Sequence, residues 1–431
     1  MGKRFHLAWF TNFTAGNWRE TFSHGGAPWD GKFFVEFAQA MERACFDYMI
    51  LEDTLMVSEA WGGTAEMSLS QALQVPKHDP VPLAAIIAAA TSELGIVATM
   101  STMAWPPFML ARVSTTIDHI AGGRFGWNIV TSGEDAAAQN FGLDKLPPRE
   151  LRYAMADEYM ELVYQLFDSW ESQWRSTANA ASMPIGTRST PSISRGSSSS
   201  AAARSIPCPR RSAARLLCRL VGRRAAALLR PNTPIRLSQL PNQVGGMKQY
   251  RDDVRAHAIK FGRNPDDVKV LFLVYPFLGE TSDEAKAKYQ RVVASDSFIH
   301  AALASVGQIT DIDFSQFDLD EPLPRITTNG EQGSLDKFAQ WGSGKTLRQL
   351  ASERFDSGLN LIGTPDEVAD RMGHAMEEIG GDGFLISTPF QRVSRRYINE
   401  VCEGLVPALQ RRSLVREAYT QPTLRQTLRE F

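Results

Sequence analysis

The chain has 431 residues, 43% hydrophobic and 22% charged, an ordinary make-up for a globular protein. It holds no run of 18 uninterrupted apolar residues, which excludes a simple membrane-spanning helix. Its four scattered cysteines (Cys45, Cys208, Cys218, Cys402) lack the CxxC spacing of a zinc site or a disulfide framework. The net charge of −2 conceals an imbalance: from Ser172 to Met247 there are 12 Arg and no Asp, Glu or Lys, and without them 34 basic residues would face 48 acidic ones.

The N-terminus MGKRFHLAWFTNF has no long apolar run or cleavage site, so His6–Asn12 is expected to be a first strand in a reduced, cytoplasmic protein. Phe33–Cys45 has helical spacing and Tyr48–Glu52 reads as a second strand ending at Asp53. A long connection, Thr54–Asp79, follows, and connections of that length are usually functional. Pro80–Leu94 is a helix, Gly95–Ser101 a third strand, Phe108–Ile120 a helix, Phe125–Thr131 a fourth strand and Leu151–Trp170 a helix. Gly122-Gly123-Arg124 reads as a turn and not as a phosphate cradle. After the arginine-rich stretch come a helix (Gly245–Phe261), a buried strand (Val268–Leu278) and a helix (Ser282–Ala294). Phe298–Gln349 is irregular and is expected to be an insertion. Thr364 and Pro365 start a helix running to about Ile379, Gly383–Ser387 is a last strand and Arg392–Arg411 a closing helix. This alternation predicts an α/β fold, a TIM (β/α)8 barrel in one domain, 1–431. Only six strands are legible, and residues 172–240 lie where the fifth and sixth belong.

In such a barrel the site forms at the C-terminal ends of the strands. The polar residues there are Asn12, Asp53, Thr99, Ser101, Asn128, Thr131 and Ser132. Any one of them is more simply a strand-end or cap residue, but their recurrence at four successive ends favours a site. No zinc spacing, GxSxG, P-loop or GxGxxG is present. His119, beside Asp118, reads as a packing residue. The absence of a nucleophile or acid–base constellation fits a cofactor that carries the chemistry.

The blocks FDYMILEDTL, GIVATMSTMAWPPFMLARVSTTIDHIAGGRFGWNIVTSGEDAAAQNFG and LRYAMADEYMELVYQLFDSW resemble the bacterial-luciferase-like flavin monooxygenases. The subgroup is that of nitrilotriacetate, EDTA and dibenzothiophene-sulfone monooxygenases and pristinamycin synthase. The resemblance covers residues 4–171 and, more loosely, 242–431. It implies the large component of a two-component system. Reduced FMN would come from a separate NAD(P)H:flavin oxidoreductase, and O2 would oxygenate a small organic substrate, an aminopolycarboxylate or an organosulfur compound. No catalytic side chain is assigned, because the peroxyflavin carries the reaction, and no metal is implied. The resemblance places Asp53, Thr99, Asn128, Arg149 and Tyr153 at the flavin. Tyr153 would reach its phosphate, and Arg149 replaces the family's usual His. Trp9, Phe10 and Trp105 would line a dry substrate pocket; Lys77, His78, Arg149 and the Phe298–Gln349 insertion could favour an anionic aminopolycarboxylate, and an apolar pocket an organosulfur compound. A homodimer or homotetramer is expected, with no membrane or nucleic-acid partner. The alternatives are an F420-dependent oxidoreductase of the same superfamily, which the WNxVTS and NFG blocks disfavour, and a non-catalytic barrel with a basic nucleic-acid-binding insert. The second is disfavoured because no aromatic residue falls between Trp174 and Tyr250 to stack on bases.

Residues 172–240 depart from the family pattern and read as a frame-shifted translation. A shifted reading of Arg188–Arg204 permits KVHSIDFEGEFFKCRGP, similar to the family's KVHxxDxxGxxxxxRGP block. Shifted readings of Cys218–Arg224 and Pro231–Gln239 permit the missing phosphate turn and the sixth-strand pattern. On this reading the written chain is expected to lack two strands and part of the phosphate site.

Overall fold

The computed structural model describes residues 4–11, 31–169, 243–354, 358–388 and 393–431, with the backbone of four short strands between 192 and 239. Six strands fall where apolar, β-branched runs predict them: β1 (His6–Thr11), β2 (Tyr48–Leu51), β3 (Gly95–Ser101), β4 (Phe125–Val130), then β7 (Val268–Val274) and β8 (Gly383–Ser387). The expectation of two missing strands is corrected at the level of the backbone. Leu217–Cys218 pairs in parallel with β4, and Ile235–Gln239 pairs in parallel with β7. They are β5 and β6, and they fall at the positions where the shifted readings put the fifth-strand turn and the sixth strand. The sheet runs β5-β4-β3-β2-β1-β8-β7-β6, and its two edge strands lie beside each other. This is the cyclic order of a TIM barrel. Ser192–Arg195 and Ser200–Ala203 form a separate antiparallel pair.

The period of two along each strand divides the core. Ala8, Phe10, Tyr48, Ile50, Val97 and Leu273 point into the barrel, whereas Leu7, Trp9, Met49, Ile96 and Phe272 point outward. The outer face is covered by α1 (Gly31–Arg43), α2 (Pro80–Ala90), α3 (Pro107–Ile120), α4 (Arg149–Phe167), α5 (Val244–Lys260) and α6 (Pro365–Ile379). Helix starts follow local chemistry. Asp79 caps α2 by accepting from the Val81 N–H, and Thr364 and Glu367 close a capping box on α6. The Gly122-Gly123 turn delivers Arg124 to the end of α2, where its guanidinium donates to the carbonyls of Ala88, Thr91 and Leu94. That residue is a helix cap.

The N-terminal mouth of the barrel is held by buried ion pairs. Asp47 pairs with Arg416 at 2.8 Å and His6 at 2.7 Å, and accepts from the Leu7 N–H. Asp382 pairs with Arg251 and accepts from the Val270 N–H. Gly383 sits where any Cβ would fall 2.2 Å from the His6 carbonyl oxygen, so β1 and β8 approach there only because the residue is glycine.

Residues 298–349, expected to be irregular, are largely helical. Asp296–Thr310, Gln332–Ala339 and Leu347–Ser352 pack around a core of their own, including Leu303, Phe314, Leu335 and Leu347. The buried strand expected over Val268–Leu278 breaks after Val274, and Phe277–Leu278 pairs instead with Ile362–Gly363. Among the described residues no single helix is long and apolar enough to cross a membrane.

Candidate functional site

A cleft with about 1060 Å³ of space between its walls, open to solvent on one side, lies at the C-terminal ends of β1–β4. Asp53, Thr99, Ser101, Asn128, Thr131 and Ser132 all line it. Asn12 lies outside the described residues.

The floor follows from register. Thr99 and Asn128 are direct neighbours on β3 and β4, and the period of two turns both inward. The Asn128 amide donates to the Thr99 hydroxyl at 2.8 Å, which donates in turn to the Leu51 carbonyl at 2.8 Å. Both residues are buried. One step further out, the Ser101 and Ser132 hydroxyls lie 2.8 Å apart. Ser132 adopts a left-handed φ of 57°, a conformation that costs a non-glycine residue energy and that clusters at functional sites. This bend carries Gly133 and Glu134 away from the strand.

The β2 end supplies two carboxylates. Glu52 is paired with Lys77 at 3.0 Å, with both side chains under 10% exposed. Among the described residues Asp53 has no such partner at contact distance. Burial, with Asp79 and Glu52 adding, pushes its carboxyl up to about 7 against the pull of Lys77. Near neutrality it therefore carries a proton about half the time. Lys77 is held by Glu52, and the His78 ring sits edge-on to Phe34; neither lines the cleft.

The opposite wall is the first turn of α4. Arg149 and Tyr153 are one turn apart, with the guanidinium carbon 5.8 Å from the ring centroid, and both line the cleft. Among the described residues no carboxylate pairs with Arg149. A 19-residue helix presents its positive dipole end here. A free guanidinium, a phenol and a helix N-terminus together suit a phosphate. Arg152, by contrast, is committed: it donates to the carbonyls of Pro147 and Asn329.

The insertion closes the third side with Ile309, Gly330, Glu331 and Gly333. Its Asn329 accepts the Arg149 backbone N–H at 3.1 Å through its side chain. Gly330 abuts the Gly133 carbonyl so closely that a Cβ would lie 2.9 Å away. Across this junction Glu134 and Glu331 both line the cleft. Burial and the Glu331 charge, with Asp311 adding, push Glu134 up to about 7.

Of the expected apolar lining only Phe10 reaches the cleft. Trp9, one residue earlier, takes the outward face and packs among Phe37, Phe46 and Tyr397. Trp105 packs against the outer core, and its carbonyl accepts the Tyr159 hydroxyl. The expectation of all three in one pocket is thus corrected: alternation turns Trp9 outward, and Trp105 lies in the turn beyond the end of β3. Gln74, Glu134, Arg152, Asn329 and Glu331 escaped the sequence reading. Glu134, two residues past a strand-end serine, carried the only usable signal.

The model of the luciferase-like monooxygenases matches residues 6–206 and 235–383. The chain is 30% identical over 435 residues to the dimethyl-sulfide monooxygenase of Hyphomicrobium sulfonivorans, covering 98% of this chain and 89% of the relative. It is 28% identical over 426 residues to nitrilotriacetate monooxygenase component A of Aminobacter aminovorans, covering 96% and 93%. A solved riboflavin lyase, holding modified FMN and its substrate riboflavin, superimposes with a TM-score of 0.86. It shares 26% identity and is covered over 100% of this chain and 96% of that one.

Proposed function

The chain belongs to the luciferase-like monooxygenase family, and on that footing we propose that it is the oxygenating component of a two-component FMN-dependent monooxygenase. The observation that carries this reading is the unpaired Arg149 guanidinium over Tyr153 at the α4 N-terminus, facing the Thr99–Asn128 floor across one cleft. The donor set fits FMN: an anion site at one end, amide, hydroxyl and carboxyl groups at the other. Reduced FMN supplies the two electrons with which one atom of O2 enters the substrate and the other leaves as water.

The residues of this chain bind, orient and shield. Arg149 and Tyr153 hold the phosphate, with Arg149 standing in for the family's histidine and offering a planar fork of donors. Thr99 and Asn128, fixed by their mutual hydrogen bond, orient polar ring edges. Asp53, poised near pH 7, holds a proton that it can donate in a hydrogen bond or release. The Lys77–Glu52 pair is buried behind this end of the cleft, and Phe10 gives it an apolar surface. The word "component" in the name of the nitrilotriacetate relative supports a separate NAD(P)H:flavin oxidoreductase as partner.

The arginine-rich segment belongs to the same reading as a frame-shifted stretch of a normal gene. The family match breaks off between residues 206 and 235, inside that segment. Resequencing the gene is decisive, since uninterrupted DNA confirming the written frame would exclude a sequencing error.

The test of function is anaerobic titration with reduced FMN, then oxygen uptake with NADH, a flavin reductase and a substrate panel. Arg149→Ala should weaken reduced-FMN binding by roughly tenfold or more, as expected for loss of a charge-assisted contact. Unchanged affinity would overturn the phosphate assignment.

A further inference from the structure

The cleft contains one feature that cofactor binding does not use. Glu134 leaves the β4 end and Glu331 comes from the insertion, and both side chains line the cleft. Their hydrogen bonds are to neutral donors: Glu134 accepts from the Gly133 N–H at 3.1 Å, and Glu331 from the Ser334 hydroxyl at 2.7 Å. Neither forms an ion pair among the described residues. The cations of the cleft are otherwise engaged. Lys77 is buried against Glu52, Arg149 is the phosphate ligand of the reading above, and Arg152, held by two carbonyls, has Glu134 and Asp135 as its nearby counter-charges. Asp135 and Asp311 add negative charge behind the pair.

We propose that Glu134 and Glu331 set the charge of the substrate: the cleft takes an uncharged organic molecule and rejects polycarboxylates. The proposal rests on the monooxygenase reading and divides the two substrate classes that the family resemblance left open. A polycarboxylate needs guanidinium or ammonium partners to replace its lost hydration. Here it would meet two carboxylates on one wall of the cleft, and like charges at short range repel. Burial has already pushed Glu134 up to about 7 beside Glu331, so this wall holds its own charge at a cost before any third carboxylate enters. A neutral thioether meets no such penalty, and Phe10 offers it an apolar surface.

The test uses two probes with one skeleton, thiodiglycolate (a dianion at pH 7.5) and its neutral dimethyl ester. Equilibrium dialysis with the FMN-loaded full chain reads binding directly, and sulfoxide formation with a flavin reductase reads turnover. Expected is a preference for the ester of about tenfold or more, on the scale of one like-charge contact. The preference should narrow several-fold in Glu331→Gln and in Glu134→Gln and persist in Glu331→Asp, which keeps the charge. Equal or tighter binding of the dianion, or a preference unmoved in both glutamine variants, overturns the proposal. So does failure of the ester to bind. Failure of the monooxygenase reading shows separately, as absent reduced-FMN binding in a titration of the full chain, while dialysis repeated without FMN still discriminates between the probes.

Discussion

The two mouths of the barrel treat buried carboxylates in opposite ways. At the N-terminal mouth, Asp47 and Asp382 have both oxygens committed to guanidinium, imidazole or backbone N–H donors. At the C-terminal mouth, Asp53 and Glu134 are half-buried with no contacting cation among the described residues, and their pKa values rise to about 7. A paired carboxylate stabilises the fold, and an unpaired one works against it while supplying a group that can gain or lose a proton at physiological pH. The contrast sets the C-terminal mouth apart on electrostatic grounds, at the same end as the proposed site.

The largest expected effect comes from breaking the stable end. Asp47→Ala leaves Arg416 with Glu430 as its remaining carboxylate, takes the acceptor from the Leu7 N–H and the His6 ring, and should cost about 3–5 kcal/mol, the usual penalty for removing one partner of a buried ion pair. Urea denaturation measures it, and reduced-FMN affinity of the folded fraction should not change. At the other mouth the sign reverses. The folded-state pKa of Glu134 lies above its unfolded value of about 4.5, so its unfavourable contribution is absent below pH ~4.5 and grows until pH passes ~7. Glu134→Gln should therefore be more stable than the parent by about 1–3 kcal/mol at pH 8, with the difference vanishing in acid. A destabilised glutamine variant at pH 8 would show that the two mouths do not differ. Thr99→Val leaves the Leu51 carbonyl and the Asn128 amide unmatched and should cost about 1–2 kcal/mol in the same denaturation series. Smallest is Asn329→Ala, which frees the first N–H of α4. A loss of about 1 kcal/mol, as for a missing helix cap, should accompany a few-fold weaker reduced-FMN affinity by titration.

The barrel was legible because its strands and helices carry clean periods and clear punctuation: Asp79-Pro80, Gly122-Gly123 and Thr364-Pro365 each mark a real boundary. The strand-end residues Thr99 and Asn128 were legible for the same reason, since alternation and strand length fix which side chains face the mouth. Trp9 was misassigned because aromatic character was given more weight than alternation, and its neighbour Phe10 holds the inward position. Glu331 and Asn329 were invisible for a different reason. They reach the cleft from a segment some 200 residues after β4 in sequence, and nothing local marks a loop residue that will dock there. Residues 172–240 hid two strands because their Arg, Ser and Ala composition carries no strand pattern, although the backbone at 217–218 and 235–239 takes the strand positions.

The junction between barrel and insertion sets terms for anyone wishing to transplant substrate preference between relatives. The insertion carries its own core, so it resembles a cassette that could be exchanged whole. Its boundary is less permissive: backbone meets backbone at Gly330 and Gly133, and Asn329 clasps the helix that carries Arg149. A donor segment of any length could be grafted, provided that it arrives with a glycine at the contact and a side-chain acceptor just before it. A graft lacking either would change the substrate wall and loosen the cofactor wall together.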